Sequence, residues 1–360
     1  MSDMKTIKKI FNYIFVDGLS GMALGLFATL IIGTILEQVA SFIPENISVY
    51  FLFVSSVAKS LTGAGIGAGM AFKYKTSPLT GVSAAVAGMT GAFASKILAG
   101  SVITTSGMLY SGPGDPLAAF IGAFFAIVIG NLVSGKTKLD ILVTPAVSVI
   151  SGCAAGLLIG PPASKVTTYI GEIVTWGMER QPIVMGIVVS VVMGICLTLP
   201  ISSAAIGIIL NLSGVAGGAA VVGCCANMIG FAVASYRENK FGGLLAQGVG
   251  TSMLQMPNIV RHPQIWIPAI VASAVLGPIS SAVLKMTCYA SGAGMGTSGL
   301  VGPIMTYTSM VDSGVDSVIA MIEIAVMHFI APALIAFAVS EFMRKKKLIS
   351  FGDMKLDNND

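Results

Sequence analysis

The chain has 360 residues, of which 55% are hydrophobic and only 10% are charged, with a formal net charge of +4. A soluble domain carries roughly 25% charged residues, and the mean hydropathy here is +0.89. This composition excludes a water-soluble fold and predicts an all-α integral membrane protein with about ten transmembrane helices. Residues 1–345 are expected to form one transmembrane domain, followed by a cytoplasmic polar tail at 346–360.

Apolar runs set the predicted spans, because a hydrocarbon core of about 30 Å needs roughly 20 helical residues. The first half has runs over 18–160 and the second half over 183–341. The individual runs lie at 18–39, 47–72, 79–99, 116–134, 141–160, 183–199, 215–235, 265–287 and 314–341.

Lysine and arginine near span ends mark the cytoplasmic side, and basic residues at both chain ends predict cytoplasmic termini. Two cytoplasmic ends require an even number of crossings, so one more segment must cross. The segment 164–180, which carries Glu172, is the candidate. We favour a buried tenth span shielded from lipid; the alternative is an interfacial helix, with 141–160 then re-entrant.

A proline interrupts the chain at TLPISSAAIG, 198–207. Pro200 ends the preceding apolar run and leaves unpaired carbonyls. Ser202, Ser203 and Asn211 follow, which suggests a hairpin that dips in from the outer side. The alternative is a plain span end with a serine N-cap.

Two glycine-rich segments share a pattern: GVGTSMLQMP at 248–257 and GMGTSGLVGP at 294–303. No Gly-Lys-Ser/Thr follows either segment, so a phosphate loop is not indicated. They flank the span 265–287 on opposite sides, and each is too broken to be a span. Paired interrupted segments point to a midplane binding site in transporters, and the predicted site residues here are Gly250, Thr251, Ser252, Gly296, Thr297 and Ser298. The alternative is packing kinks whose hydroxyls cap their own helices.

Ionisable residues within spans are functional candidates because they are costly in lipid. Glu323 and His328 lie mid-span, about 140° apart on a regular α-helix, so they are not expected to act as a simple dyad. Glu172 and Glu323 are candidate site residues, whereas His328, beside Pro332, is equally well explained as a packing histidine. The cysteines form no Cys-x-x-Cys pair, so neither a metal nor a cofactor is expected.

The sequence resembles the enzyme IIC (EIIC) component of bacterial sugar phosphotransferase systems, in the branch that includes PfoR-type regulators. The resemblance covers nearly the whole chain and is most specific in ILVTPAVSVISGCAAGLLIGPP (141–162), MGICLTLPISSAAI (193–206) and the two GxGTS segments. It departs from glucose-type members in lacking a Gly-Ile-Thr-Glu motif, and no IIA or IIB domain is expected on this chain.

This resemblance implies two or three re-entrant hairpins and a homodimer in the bacterial cell membrane. It also implies a permease that moves a sugar-like polar solute inward, with any phosphorylation supplied by separate IIB and IIA proteins. No catalytic phosphoryl site is expected on the chain itself, and no nucleic-acid partner. Two alternatives stay open: a membrane sensor that signals through the basic tail Arg344 to Lys347, and an ion-coupled carrier that uses Glu172 or Glu323.

Overall fold

A computed structural model describes residues 9–356 except 41, 105, 106, 109 and 111. The chain folds into two compact units, Met1–Val166 and Thr167–Asp360.

The first unit contains α1 (Lys9–Ala40), α2 (Glu45–Ser60), α3 (Thr62–Lys73), α4 (Pro78–Ala92), α5 (Ala94–Leu98), a short antiparallel pair of β1 (Ile103–Thr104) and β2 (Gly107–Met108), and α6 (Pro116–Val133). Helix α7 (Asp140–Met178) runs from the first unit into the second. The second unit continues with α8 (Pro182–Thr198), α9 (Ser203–Ile209), α10 (Gly214–Ala234), α11 (Tyr236–Leu245), α12 (Met256–Arg261), α13 (Pro263–Leu284), α14 (Ala290–Ala293), α15 (Val301–Asp312) and α16 (Ser317–Lys345).

The all-α membrane class is confirmed. Among the described residues, six helices are long and apolar enough to cross a membrane, or seven if the pair α2 and α3, bent by 59°, forms one span. Many large apolar side chains on these helices are exposed, including Leu142, Ile150 and Leu158 on α7, as expected where helices face lipid. Residues 164–178 are continuous with 141–160 in α7, and the count of ten crossings stays a prediction.

In the first unit, α1 packs on α3, α3 on α4 and α4 on α6. Lys59 Nζ lies 2.7 Å from Glu37 Oε2, which joins α2 to α1. Both residues fall inside predicted spans. Pairing lowers the cost of placing two charges within apolar segments.

Helix α16 contains a π-helical turn at Ala325–Ile330. Pro332 follows it; a proline has no N–H and its ring clashes with the carbonyl four residues earlier, here that of His328. The π turn accommodates this clash. Glu323 lies in the α-helical part before this turn, and His328 lies within it.

Helix α10 is the centre of the second unit: α8, α13 and α16 all pack against it, and nearly all of its residues are buried. Its small residues allow backbones to approach closely, as is common in membrane helices. At Gly223 a Cβ atom would collide with the backbone carbonyl of Ser190 on α8.

Replacing Gly223 with alanine should therefore force α8 and α10 apart. We expect the free energy of unfolding in detergent to fall by about 1–3 kcal/mol, the usual cost of overpacking. Gly242→Ala on α11 is the matched control, since nothing lies within 4 Å of a Cβ there. Equal stability of the two variants in a denaturant titration would contradict the close approach of α8 and α10.

The predicted polar tail, residues 346–360, is described by the structure as far as Leu356. Its described part folds back on the second unit, and two apolar side chains are buried, Ile349 with 2% and Met354 with 0% of its surface exposed. Arg344, at the start of the basic run, lies inside the fold, where its guanidinium donates to both carboxylate oxygens of Glu238. The sequence signals basic charge here, but not the apolar and amide contacts that hold this segment.

Candidate functional site

The first glycine segment is an interrupted helix. A π turn at Ala246–Gly250 continues α11, Thr251 then adopts an extended conformation, and a 3₁₀ turn at Ser252–Gln255 leads into α12. Ser252 is fully buried. Broken backbone of this kind survives at membrane depth only where protein or a wet cavity satisfies its polar groups, so the contacts of this segment define what it can do.

The second glycine segment is also irregular. Gly296 has φ of +52°, and Leu300 has φ of +61°, a conformation that non-glycine residues seldom adopt. A Cβ atom on Gly296 would lie 2.9 Å from the carbonyl carbon of Cys224 on α10. Glycine is therefore required here both by the conformation and by the close approach to α10.

The two segments meet. The hydroxyl of Thr297 donates to the carbonyl oxygen of Gly248 at 2.5 Å and lies 3.5 Å from the Sδ of Met228 on α10. Gly248 precedes α13 and Thr297 follows it, and the 22 residues of α13 span about 33 Å at 1.5 Å per residue. For this contact to form, the chain must fold back along α13.

The proline break joins the same assembly. The hydroxyl of Ser203, at the start of α9, donates to the carbonyl oxygen of Gly294 at 2.6 Å. Helix α8 ends at Thr198, and Leu199 is extended, as expected for a residue before proline. All three interruptions predicted from the sequence therefore lie in contact, in the order α9, second glycine segment, first glycine segment.

Asn227 of α10 is a functional candidate that sequence analysis missed. Its amide nitrogen donates to Gly223 O at 3.2 Å and to Ser273 Oγ at 3.1 Å. Its amide oxygen accepts from Trp266 Nε1 at 2.9 Å and from Thr198 Oγ1 at 3.3 Å. Every donor and acceptor position of this buried amide is thus used. A lone asparagine in a helix of small apolar residues is the signal that could have identified it.

Thr198 links this network to the first glycine segment, because its hydroxyl lies 2.8 Å from that of Ser252. The cluster is therefore continuous from α13 through Asn227 to Ser252. Its side chains are uncharged hydroxyl, amide and indole groups. Within the described residues, no group of three His, Cys, Asp or Glu side chains is placed to hold a metal ion.

Five further predicted site residues lie within the three interruptions. The hydroxyl of Thr251 accepts from the N–H of Met253 at 3.2 Å and so caps its own turn. This agrees with the alternative interpretation, in which the hydroxyls of the glycine segments cap their own helices. Gly250 and Ser298 are buried, and within the part of the chain that the structure describes the hydroxyl of Ser298 has no hydrogen-bond partner. Two further residues of the proline break, Pro200 and Ser202, are partly buried.

Four predicted residues do not take part in the contacts of the cluster. Asn211 and Glu172 are exposed, so neither is placed among its buried groups. Glu323 is partly buried and His328 fully buried on α16; one carboxylate oxygen of Glu323 and both ring nitrogens of His328 have no hydrogen-bond partner among the described residues.

The sequence model of the family described as "Phosphotransferase system, EIIC" matches residues 16–356, which covers both units and all the contacts described above. The chain belongs to the phosphotransferase system EIIC family. It is therefore a multi-pass cell-membrane protein of the phosphotransferase permease type. A comparison with curated proteins finds no match.

Proposed function

We propose that this EIIC protein binds a neutral, sugar-like solute where the two glycine segments meet α10, and moves it inward for phosphorylation by a separate IIB protein. Family membership supports the general role in transport. The hydrogen bond from Thr297 to Gly248 supports the location, because it joins two interrupted segments that precede and follow α13 in the chain. Such paired breaks form midplane solute sites in transporters.

The chemistry of the cluster supports the class of solute. Hydroxyls and amides can exchange hydrogen bonds with the hydroxyl groups of a sugar, whereas a charged solute would need an opposite charge to offset desolvation. On α16, which packs on α10, the unpartnered groups of Glu323 and His328 are available for a polar ligand or for a proton. We assign Glu323 and His328 a secondary role in solute binding and the main role to the glycine segments.

The experiment is a stability screen of the purified protein with neutral sugars, polyols and sugar phosphates. A ligand that binds only the native state at 100 times its dissociation constant adds about 2.7 kcal/mol of stability. We expect a neutral sugar to raise the melting temperature. Stabilisation by a sugar phosphate alone, or by no member of the panel, would contradict the proposal.

A variant at Thr297 tests the location. Thr297→Val keeps the side-chain shape but removes the donor to Gly248 O, which leaves a buried carbonyl without its partner at a cost of about 1–3 kcal/mol. We expect the affinity for the stabilising sugar to fall at least tenfold, a loss of about 1.4 kcal/mol. Binding would be measured by calorimetry at a temperature where the variant is folded.

The control for this variant is Thr308→Val on α15. Thr308 is exposed, and its hydroxyl bonds only to Ile304 O within the same helix, at 3.0 Å. Unchanged affinity in Thr308→Val together with a tenfold loss in Thr297→Val supports the site. If both variants bind the sugar as the wild type does, the site lies elsewhere.

Uptake into sealed vesicles separates the two modes of energy coupling. We expect inward transport to require phosphoenolpyruvate and the soluble phosphocarrier proteins. Uptake without phosphoenolpyruvate that depends on a proton or sodium gradient would instead assign an ion-coupled carrier.

A further inference from the structure

Residues 348–356, here called the C-terminal strap, are bound by three side-chain amides. These are the amides of Asn239, Gln255 and Asn258, here called the amide seat. Asn239 of α11 donates to Met354 O and accepts from the N–H of Leu356, both at 2.8 Å, which imitates the pairing of a neighbouring β-strand. Gln255 and Asn258 each donate to a strap carbonyl at 2.9 Å, those of Met354 and Lys355 respectively. The seat therefore binds the backbone of residues 354–356, which follow a turn at 351–354.

Side-chain contacts fix the register of this peptide. Met354 is fully buried, whereas Phe351 and Lys355 point outward. Glu238 accepts weakly from the N–H of Gly352 at 3.4 Å, and His262 Nε2 lies 3.7 Å from Asp353 Oδ1. Two buried apolar side chains, Ile349 and Met354, together with a set of backbone contacts, thus hold the strap.

The seat is connected to the candidate solute site by a chain of buried amides. Gln255, which binds the strap, also donates to Gln247 Oε1 at 2.9 Å. Gln247 is the residue before Gly248, whose carbonyl accepts from Thr297. Gln247 and Gln255 are both fully buried, and an amide in such a place is costly if it loses a partner. Removal of the strap would therefore disturb the first glycine segment.

We propose that the strap is a releasable internal ligand of this amide seat, and that its occupancy keeps the first glycine segment in contact with the second. Segments held by a few contacts open at low free energy compared with a helix core. An unseated strap leaves Gln255 and Asn258 without the carbonyls of Met354 and Lys355, and 246–258 then becomes free to move. This inference goes beyond the proposed transport and does not depend on the solute.

The test uses backbone hydrogen exchange on purified protein, followed for 246–258. We expect the chain that ends at Lys347 to exchange at least tenfold faster in this region than the full chain. A peptide of residues 348–356, LISFGDMKL, added in trans should restore the slow rate. The same peptide with Met354→Glu should not restore it, because its carboxylate cannot enter an apolar position.

Two control segments in the same exchange experiment exclude a general loss of structure. They are the helix Pro116–Val133 in the first unit and residues 182–190 of α8 in the second. Their exchange should stay unchanged. Faster exchange there as well, or an unchanged rate at 246–258 in the truncated chain, would overturn the proposal. Failure of the wild-type peptide to restore the slow rate would overturn it too.

A second pair of variants in the full chain covers the case in which the truncated chain does not fold. Met354→Glu should accelerate exchange in both the strap and 246–258, and Phe351→Ala, with 76% of Phe351 exposed, should accelerate neither. If hydrogen exchange accelerates in the strap alone, the strap does not hold 246–258 in place. If exchange is the same in the two variants, Met354 does not anchor the strap. No uptake assay is involved, so this result is separate from that of the transport experiments.

Discussion

Glu238→Ala is expected to lower the free energy of unfolding by about 3–5 kcal/mol, the cost of leaving one partner of a buried ion pair unpaired. Arg344 Nη2 lies 2.8 Å from Glu238 Oε1, and the two side chains are 9% and 0% exposed. The guanidinium also donates to the carbonyl of Ala234 at 3.1 Å. These contacts join α16 to α11 and to the end of α10, so the loss should reach the helices around the candidate site.

A second ion pair joins the same two helices and serves as the control. Arg237 Nη2 lies 2.8 Å from Glu341 Oε2, but the side chain of Arg237 is 56% exposed. Glu341→Ala should therefore cost only about 0–1 kcal/mol, because water and salt screen an exposed pair. Denaturant titration in one detergent would measure both variants. Equal losses would contradict the burial of Glu238.

A double replacement provides a further check of the buried pair. Glu238→Leu with Arg344→Met removes both charges and fills the space with apolar groups. We expect this chain to be more stable than Glu238→Ala, since the main penalty is an unpaired charge rather than the loss of the pair. A double variant as unstable as Glu238→Ala would mean that the pair itself supplies the stability.

Asn227→Ala is expected to cost about 2–4 kcal/mol, because several buried partners lose a hydrogen bond together. The groups left without it are the indole N–H of Trp266, the hydroxyls of Thr198 and Ser273, and the carbonyl of Gly223. We also expect weaker solute binding, because Thr198 positions Ser252. Asn131→Ala on α6 is the control, since Asn131 is exposed and such changes usually fall within about 0.5 kcal/mol.

A mutant cycle with Trp266→Phe separates the network from simple loss of volume. In the Trp266→Phe background no indole N–H is left without a partner, so Asn227→Ala should cost less than in the wild type. Contacting residues typically show interaction energies of about 0.5–3 kcal/mol. Additive effects of the two replacements on unfolding would show that the bond between Trp266 and Asn227 contributes nothing.

The candidate site was partly predictable. The sequence pattern located the interruptions at 198–207, 248–257 and 294–303, because proline and glycine disturb helices locally. It did not reveal that Ser203 reaches Gly294 or that Thr297 reaches Gly248. Those contacts join residues far apart in the chain, and local periodicity contains no information about such distances.

The residues that the sequence does not indicate carry no charge. Ionisable residues such as Glu172 and Glu323 stand out in apolar spans, whereas the network that joins the interruptions is built from the neutral side chains of Thr198, Asn227 and Ser273. A hydroxyl can be satisfied within its own helix, so serine and threonine in apolar runs give no clear signal. Only the packing of α8, α10 and α13 decides which of them bond across helices.

By itself the sequence determined the membrane class, the family resemblance and the positions where helices break, because hydropathy and backbone preference are properties of neighbouring residues. The tertiary structure alone decided three things: that the two glycine segments meet, that Asn227 satisfies four partners, and that the basic C-terminal segment is buried in part. Each depends on long-range contact. Steric fit and the pairing of buried polar groups, rather than composition, select those contacts.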